Sequence, residues 1–222
     1  MNQPQHLTVT EADLYNLITI DDGKANAVSQ ELADELMAAL AAAAADGKAV
    51  IITGRADKFS AGFHLKQLAD PRLAGNLLKT GGLLLKSIYT HPRPVVSACN
   101  GHALALGALM LLASDYRIGT TGPFSIGLNE VAIGMTMPDK AALLGRARIQ
   151  RSMHHRAIVL GEIFDTESAT AAGFLDEAIG ADALRARAVA KVEQLAALDA
   201  TAFRETKAKV WLRELDDFSG AL

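Results

Sequence analysis

The sequence predicts an α/β domain with parallel strands, followed by a segment made only of helices. Short β-branched apolar runs alternate with helical patterns from residue 15 to about residue 126, which is typical of parallel strands joined by helices. After Pro138 only helical patterns follow. Hydrophobic residues make up 50% of the chain and aromatic residues only 5%, so we expect a helix-rich core packed through small side chains. We therefore divide the chain into an α/β core, residues 1–137, and a helical segment, residues 138–222.

The first predicted strand is Tyr15–Ile20, an apolar run that ends at Asp-Asp-Gly. A helix follows, because Ser29 is a suitable N-cap and Gly47 is a suitable end. The β-branched run Ala49–Thr53 then predicts a buried strand that stops at Gly54. Further strands are predicted at Val95–Ala98, Tyr116–Gly119 and Phe124–Ile126.

The remaining patterns predict helices. A short helix is expected from Gly62 to about Ala69, and a longer one at Asn76–Tyr89, weakened by the pair Gly81-Gly82. The segment after Gly107 is apolar on every side, which indicates a buried helix. Helices of the C-terminal segment are predicted at Asp139–Ile149, Ser152–Leu160, Thr166–Gly173, Asp182–Leu198 and Thr201–Leu212. Periodicity alone leaves two architectures open, a doubly wound sheet and a spiral of repeated ββα turns.

Composition excludes several classes of protein. The net charge of −3 and the pI near 6.1 disfavour broad binding to nucleic acid or to an anionic membrane. Cys99 is the only cysteine, so no intrachain disulfide can form, and a reducing compartment fits. The N-terminus shows no secretory signal pattern, and no apolar run reaches membrane-spanning length without Gly, Pro or a charge. We expect a soluble cytoplasmic protein.

Two stretches of small residues suggest the functional site. Residues 59–66 read Phe-Ser-Ala-Gly-Phe-His-Leu-Lys, and residues 100–107 read Asn-Gly-His-Ala-Leu-Ala-Leu-Gly before an apolar helix. Each has the pattern of a turn that opens a helix, with Gly62 or Gly107 permitting close approach of the backbone. The first N–H groups of a helix lack partners within the helix and lie at its positive end. Two such ends at one point would bind a negatively charged oxygen.

These stretches, together with Ile126-Gly-Leu-Asn-Glu130, resemble the crotonase (enoyl-CoA hydratase/isomerase) superfamily. The resemblance runs from the turn at Lys24–Ala27 to about Lys207, and it includes an Asp-Tyr-Arg-Ile after the apolar helix. It implies the spiral of ββα turns, with the acyl-CoA site in residues 1–137. Ala- and Leu-rich helices outside a finished core need cover, so residues 138–222 are expected to mediate self-association. The family implies a homotrimer or a hexamer of paired trimers.

The resemblance also assigns roles. The backbone N–H groups of Phe63 and Leu106 would form an oxyanion hole, and Glu130 would transfer protons. Leu109 stands where hydratases of the family have a second Glu, and this is the main departure from their pattern. The residues predicted to contact the substrate are Lys24, Ala25, Ala61, Gly62, His64, Gly107, Leu109 and Met135.

A single carboxylate suits a 1,3-proton shift better than the addition of water, which is best served by two. In motif the chain is therefore closest to the Δ3,Δ2-enoyl-CoA isomerases, which move a double bond between C3 and C2. An enoyl-CoA hydratase-like lyase, an acyl-CoA thioesterase and a non-catalytic acyl-CoA-binding subunit remain alternatives. Coenzyme A would enter as part of the thioester substrate, and no bound cofactor, metal, nucleic acid or membrane is expected.

Overall fold

The computed structural model describes residues 6–210 of the chain. Its strands are β1 (Leu7–Glu11), β2 (Tyr15–Ile20), β3 (Ala27–Val28), β4 (Ala49–Gly54), β5 (Asp57–Ser60), β6 (Gly62–Phe63), β7 (Val95–Cys99), β8 (Gly101–Leu104), β9 (Tyr116–Thr120), β10 (Ile126–Gly127) and β11 (Glu177–Ile179). Its α-helices are α1 (Gln30–Ala45), α2 (Leu65–Leu68), α3 (Ala74–Tyr89), α4 (Leu106–Ala113), α5 (Asp139–Arg148), α6 (Thr166–Ala172), α7 (Ala181–Ala196) and α8 (Ala200–Val210). Shorter helical turns lie at Val131–Ile133, Arg151–Met153 and His155–Val159.

The main sheet has six strands in the order β1-β2-β4-β7-β9-β11. Strand β1 pairs antiparallel with β2, and every other pair in this sheet is parallel. A smaller parallel sheet has the order β10-β8-β5, and β3 pairs with β6 in a third.

The chain forms the spiral of ββα turns that the resemblance implied. Each turn places one strand in the main sheet, places a second in a smaller sheet, and then runs into a helix. The succession β4–β5, then β7–β8–α4, then β9–β10–α5 shows this repeat. The predicted α/β class is confirmed, and the doubly wound alternative is not the arrangement found.

The structure corrects the predicted helix at Gly62–Ala69. Gly62 and Phe63 form strand β6 instead, and only Leu65–Leu68 is helical. Gly62 has φ +89°, which is outside the helical region and is readily adopted only by glycine. Strand β1 and the short strands β5 and β8 were not predicted either.

The segment predicted to be entirely helical also contains strand β11, which extends the main sheet beside β9. Residues on both sides of the boundary at 137/138 therefore share one sheet. The predicted helix Ser152–Leu160 is a pair of shorter helical turns of other types. The end of the last predicted helix, residues 211–212, lies outside the described residues.

Two apolar clusters stabilise the fold, one on each face of the main sheet. The larger contains α1, α3 and α4, and all eight residues of α4 are buried, as its uniform hydrophobicity predicted. On the opposite face, Leu184, Ala188 and Val192 form a stripe along α7 that packs against sheet residues such as Ile51. We expected self-association to cover such helices, but this stripe is covered by the sheet of its own chain.

Within residues 6–210, the helices that form are too short or too polar to cross a bilayer.

Candidate active site

A cavity of about 650 Å³ lies where the two small-residue turns meet. It is lined by eight of the residues that the sequence singled out, namely Lys24, Ala25, Ala61, Phe63, His64, Leu109, Glu130 and Met135. Gly62, Leu106 and Gly107 are buried and lie behind this lining.

The amide of Phe63 points away from its partner strand. In the pair β3–β6, the amide of His64 donates to the Val28 carbonyl oxygen at 2.9 Å. Successive amides of a strand point to opposite sides, so the amide of Phe63 faces away from β3. Phe63 is also one of the residues that line the cavity.

The amide of Leu106 is the first of helix α4. The N-cap is Ala105, whose backbone has φ +47° and ψ −121°. The amide of Ala105 donates to the Gly127 carbonyl oxygen, while that of Leu109 begins the helical pattern by donating to Ala105. The Leu106 amide lies between these two, among the N–H groups that have no acceptor within the helix.

The backbones that carry these two amides are in direct contact. A Cβ atom built on Gly62 would lie 3.4 Å from the Leu106 amide nitrogen and 2.9 Å from the Leu104 carbonyl oxygen. On the other side of the contact, a Cβ atom on Gly107 would lie 2.4 Å from the Ser60 carbonyl oxygen. Only glycine permits approaches this close, which explains the small residues of both turns.

Glu130 lies in the wall of the same cavity and is only 5% exposed. Its Oε2 atom is buried without a hydrogen-bond partner. Burial raises the pKa of this carboxyl group above the ordinary value, and a hydrogen bond from its own backbone amide opposes the rise only partly. The main chain here is held by the turn Val131–Ile133 and by a bond from the Met135 amide to the Glu130 carbonyl oxygen.

The other two carboxylates that line the cavity have different surroundings. Burial acts to raise the pKa of Asp22, but hydrogen bonds from three amides of the turn at residues 24–27 outweigh it and lower the pKa. For Glu31, hydrogen bonds with the Ser29 hydroxyl, with its own amide and with the Gln67 side chain lower the pKa. The carboxylates of Asp22 and Glu31 are therefore ionised at neutral pH, and their oxygens accept hydrogen bonds from neighbouring groups. Among the described residues of the cavity wall, Glu130 alone combines a raised pKa with an unpartnered carboxylate oxygen.

Leu109 is the residue that the resemblance places at the position of the second carboxylate of the hydratases. It is 4% exposed, projects from the second turn of α4 and lines the cavity with Glu130. The apolar side chain therefore makes this wall hydrophobic.

Three polar residues of the site were not predicted from the sequence. Asn129 lines the cavity, and its Oδ1 atom is buried without a partner. Asn26, with φ +54°, is fully buried and donates to the carbonyl oxygens of Ile20, Lys58 and Phe59, so it joins the first turn to β5. Asp22 holds that first turn by accepting its amides. The Asp-Asp-Gly run and the turn at Lys24–Ala27 were recognised from the sequence, but the distant strand to which Asn26 binds was not.

His64 and Lys207 have structural roles in the described residues. His64 is the N-cap of α2, and its Nδ1 atom accepts from the Gln67 amide at 3.3 Å. Lys207 is 9% exposed, and its ammonium group lies 2.7 Å from the Asp115 carboxylate, away from the cavity lining. Asp115 also accepts a hydrogen bond from the Val95 amide, so it joins strand β7 to helix α8.

Comparison with known proteins identifies the family. Residues 14–214 match the family model described as enoyl-CoA hydratase/isomerase. The fold is similar to that of an enoyl-CoA hydratase/isomerase family protein from Pseudomonas syringae, with a TM-score of 0.94 and 40% identity over 97% of this chain and 94% of that one.

Relatives are described by both activities of the family. A Mycobacterium tuberculosis protein described as an enoyl-CoA isomerase has a TM-score of 0.92 and 36% identity over 96% of this chain and 94% of that one. Another structure of the same mycobacterial protein is described as a probable enoyl-CoA hydratase. The 2,3-dehydroadipyl-CoA hydratase of Escherichia coli is 29% identical over 79% of this chain and 70% of its own length. The chain spans only 58% and 62% of two other curated relatives. With a family model that covers residues 14–214 and a fold that agrees throughout, the chain belongs to the enoyl-CoA hydratase/isomerase family of the crotonase superfamily.

Proposed function

We propose that the protein is an enoyl-CoA isomerase that moves a double bond between C3 and C2 of an acyl-CoA thioester. One observation carries the proposal. Among the described residues that line the cavity, Glu130 alone is a buried carboxylate with a raised pKa and an unpartnered oxygen, and the apolar Leu109 stands where a second carboxylate would be needed for hydration.

The reaction needs one group that first accepts and then returns a proton. Ionised Glu130 removes a proton from C2 of a 3-enoyl-CoA, and the electron pair moves onto the thioester oxygen to give a dienolate. The same carboxyl group then protonates C4, which leaves the double bond between C2 and C3. No water is consumed and no oxidant or reductant takes part, so one carboxyl group is sufficient.

The amides of Phe63 and Leu106 are proposed to stabilise the dienolate. Both belong to backbones in contact at Gly62, and both have positions that leave the N–H free to bind an oxygen. Preorganised donors of this kind stabilise an oxyanion by about 3 to 4 kcal/mol each. The raised pKa of Glu130 adds to this effect, because a carboxylate of higher pKa is a stronger base.

The coenzyme A part of the substrate is proposed to lie along the rim of the cavity. The exposed side chains of Lys24 and Lys66 line it and supply positive charge for the phosphates. Ala25, Ala61 and the turn held by Asp22 supply main-chain groups for the pantetheine and the adenine. The other predicted contacts, His64 and Met135, lie in the same wall. No further cofactor is required, because the thioester itself carries the activating group.

The direct test is incubation with 3-enoyl-CoA and 2-enoyl-CoA of several lengths, followed by product identification by mass spectrometry and chromatography. Interconversion of the two substrates is the expected result. Glu130→Gln should abolish it while binding of acyl-CoA is retained, because the amide keeps the shape but accepts no proton. Glu167→Gln, an exposed substitution in α6, is the matched control and should be fully active. Unchanged turnover in Glu130→Gln would exclude the proposed role.

The same assay distinguishes the alternatives. A 3-hydroxyacyl-CoA product would identify a hydratase-like lyase, and free coenzyme A would identify a thioesterase. Binding without turnover would identify a non-catalytic acyl-CoA-binding subunit. Leu109→Glu tests the argument about the missing carboxylate, because it should add measurable hydration of 2-enoyl-CoA. If no hydration appears, Leu109 is not the reason for an isomerase preference.

We also propose that the protein is a homotrimer or hexamer in a reducing, cytoplasmic compartment. Exposed apolar side chains support association, notably Val159 at 53% exposure and Leu160 at 62%. The lone, buried Cys99 fits a reducing compartment. Light scattering after size-exclusion chromatography measures the mass directly, and a monomer at all concentrations would contradict the proposed assembly.

A further inference from the structure

Gly81 lies in the interior of helix α3, a position at which glycine is unfavourable. We predicted that it would weaken the helix, yet α3 is continuous over Ala74–Tyr89, and Gly81 is buried. A glycine that disfavours the helix around it needs another reason to be there. The reason is found in the atoms that surround its α-carbon.

The space beside Gly81 is occupied by Phe63. A Cβ atom on Gly81 would lie 2.4 Å from Cζ and 2.6 Å from Cε1 of the Phe63 ring, which is closer than non-bonded carbon atoms can be. The same atom would lie 3.5 Å from Cδ2 of Leu106, an ordinary van der Waals contact. The side chains of Phe63 and Leu106, the two residues with the proposed oxyanion amides, thus both contact Gly81. Only the Phe63 ring fills space that a side chain at position 81 would need.

A side chain at position 81 would have to displace the Phe63 ring. The backbone of Phe63 is held by the pairing of β6 with β3 and by the contact of Gly62 with Ala105. Helix α3 lies against the tip of the ring at Gly81, and Phe63 is one of the residues that line the cavity. A methyl group at position 81 would therefore push the ring into the cavity. The neighbouring wall is apolar, with Leu78 and Leu109, and suits an acyl chain better than the charged rim does.

We propose that Gly81 determines acyl-chain specificity. Because glycine has no side chain, the Phe63 ring can occupy the space beside Gly81, and the ring therefore stays outside the path of the acyl chain. This inference deepens the proposed function, since it concerns the same cavity. It makes Gly81 a positioning residue that acts through Phe63 and does not itself touch the reacting atoms. Longer acyl chains should depend on it more than short ones.

The test measures binding, so that it does not depend on turnover. The probes are the saturated thioesters butyryl-CoA and decanoyl-CoA, and their dissociation constants are measured by calorimetry. Gly81→Ala should weaken the binding of decanoyl-CoA about tenfold, equivalent to about 1.4 kcal/mol, and that of butyryl-CoA less than about threefold. Gly75→Ala is the control in the same helix, because a Cβ atom there meets nothing within 4 Å, and it should leave both constants unchanged.

The Phe63→Leu substitution keeps the backbone amide but removes the outer atoms of the ring. In the double variant Phe63→Leu/Gly81→Ala, decanoyl-CoA should therefore bind within about threefold of its affinity for Phe63→Leu alone. The double variant also keeps the inference testable if the Gly81→Ala protein folds poorly, because relief of the clash should restore its folding. If the double variant is as damaged as Gly81→Ala, the clash is not with Phe63 and the inference is wrong.

The remaining outcomes are separable from the proposed reaction. Equal losses for both thioesters in Gly81→Ala, or none, would overturn the role in chain-length selection even if isomerase activity is present. Conversely, a wild-type protein that binds both thioesters with the expected dependence on Gly81 but converts no enoyl-CoA would overturn the reaction alone. A wild-type protein that binds neither thioester would overturn both.

Discussion

Gly62 and Ala105 lie against each other without room for another methyl group, because a Cβ atom on Gly62 would be 2.9 Å from the Ala105 Cβ. The contact joins the turn that precedes Phe63 to the turn that precedes Leu106. It therefore sets the separation of the two amides that we propose for the oxyanion hole. A substitution that crowds this contact should therefore reduce stability and turnover together.

Substitution of Gly62 by alanine should be severe. The new methyl group would clash with Ala105 and with the Leu104 carbonyl oxygen, and φ +89° strains any residue with a side chain. We expect the free energy of unfolding to fall by about 2 to 4 kcal/mol. We also expect kcat to fall about a hundredfold or more, as when one oxyanion donor is lost. Urea denaturation and steady-state kinetics measure the two effects.

Gly47→Ala is the matched control for strain without a clash. Gly47 follows α1 with φ +67°, and a Cβ atom there meets nothing within 4 Å. It should cost about 1 kcal/mol of stability and leave kcat unchanged. If Gly62→Ala were no more harmful than Gly47→Ala, the close contact between the two turns would not matter for the site.

Ala105→Gly should stabilise the protein. Ala105 has φ +47° and ψ −121°, a conformation that costs a non-glycine residue about 1 to 3 kcal/mol. Glycine removes this strain but loses more chain entropy on folding, so the expected net gain is about 1 kcal/mol. The control is Ala103→Gly in strand β8, which has no positive φ and should be destabilised. A loss of stability of the same size in both variants would show that Ala105 is not strained.

Turnover should depend on the ionisation of Glu130. Because burial raises the pKa of this group above its ordinary value of 4.5, kcat/KM should rise with pH and reach its midpoint above pH 4.5. A pH–rate profile for 3-enoyl-CoA measures this midpoint. A profile that is flat from pH 4.5 upward would contradict proton abstraction by Glu130.

The raised pKa of Glu130 also makes the stability of the protein depend on pH. The dependence has the opposite sign to that of a carboxyl group whose pKa is lowered by folding. A carboxyl group whose pKa is higher in the folded state contributes stability that is complete below its unfolded pKa and is lost as the pH rises through its folded pKa. The side-chain amide of Glu130→Gln does not titrate, so this variant does not lose stability in that way as the pH rises. Its stability relative to wild type should therefore increase as the pH rises from 4.5, the ordinary value of the carboxyl group. A difference between the two proteins that is independent of pH would indicate no shift.

The sequence singled out many of the residues that line the candidate cavity, because the signals that mark them are local. The residues Phe63, Glu130 and Leu109 were recognised from motif position, and the structure brings all three to one cavity. The apolar helix α4 and the strands β2 and β4 follow from period and composition. These features depend on neighbours in the chain.

The features that were missed depend on distant partners. Nothing local shows that Asn26 binds the carbonyl oxygens of β5, or that Ala105 adopts a conformation normally left to glycine. The residues of β1 gain their strand structure from antiparallel pairing with β2. Gly81 is the clearest example, since a sequence pattern indicates a weak helix and only the Phe63 ring explains the glycine.

The buried ion pair between Asp115 and Lys207 should stabilise the docking of helix α8. The two charged groups are 2.7 Å apart, and Lys207 also donates to the His91 carbonyl oxygen. Burial lowers the pKa of Lys207, and the Asp115 carboxylate acts in the opposite direction. Asp115→Asn would leave the ammonium group buried without its counter-charge, so we expect the free energy of unfolding to fall by about 3 kcal/mol. Chemical denaturation measures this loss.

The exposed pair of Lys48 and Glu11 is the comparison. Its groups are 3.3 Å apart, but the Glu11 side chain is 71% exposed, so water screens the attraction. Glu11→Gln should change stability by less than about 1 kcal/mol. Because the Asp115–Lys207 pair lies outside the lining of the cavity, Asp115→Asn should keep its kcat at temperatures where it is folded. A large change in KM for acyl-CoA in a folded Asp115→Asn protein would instead show that Lys207 acts on the substrate.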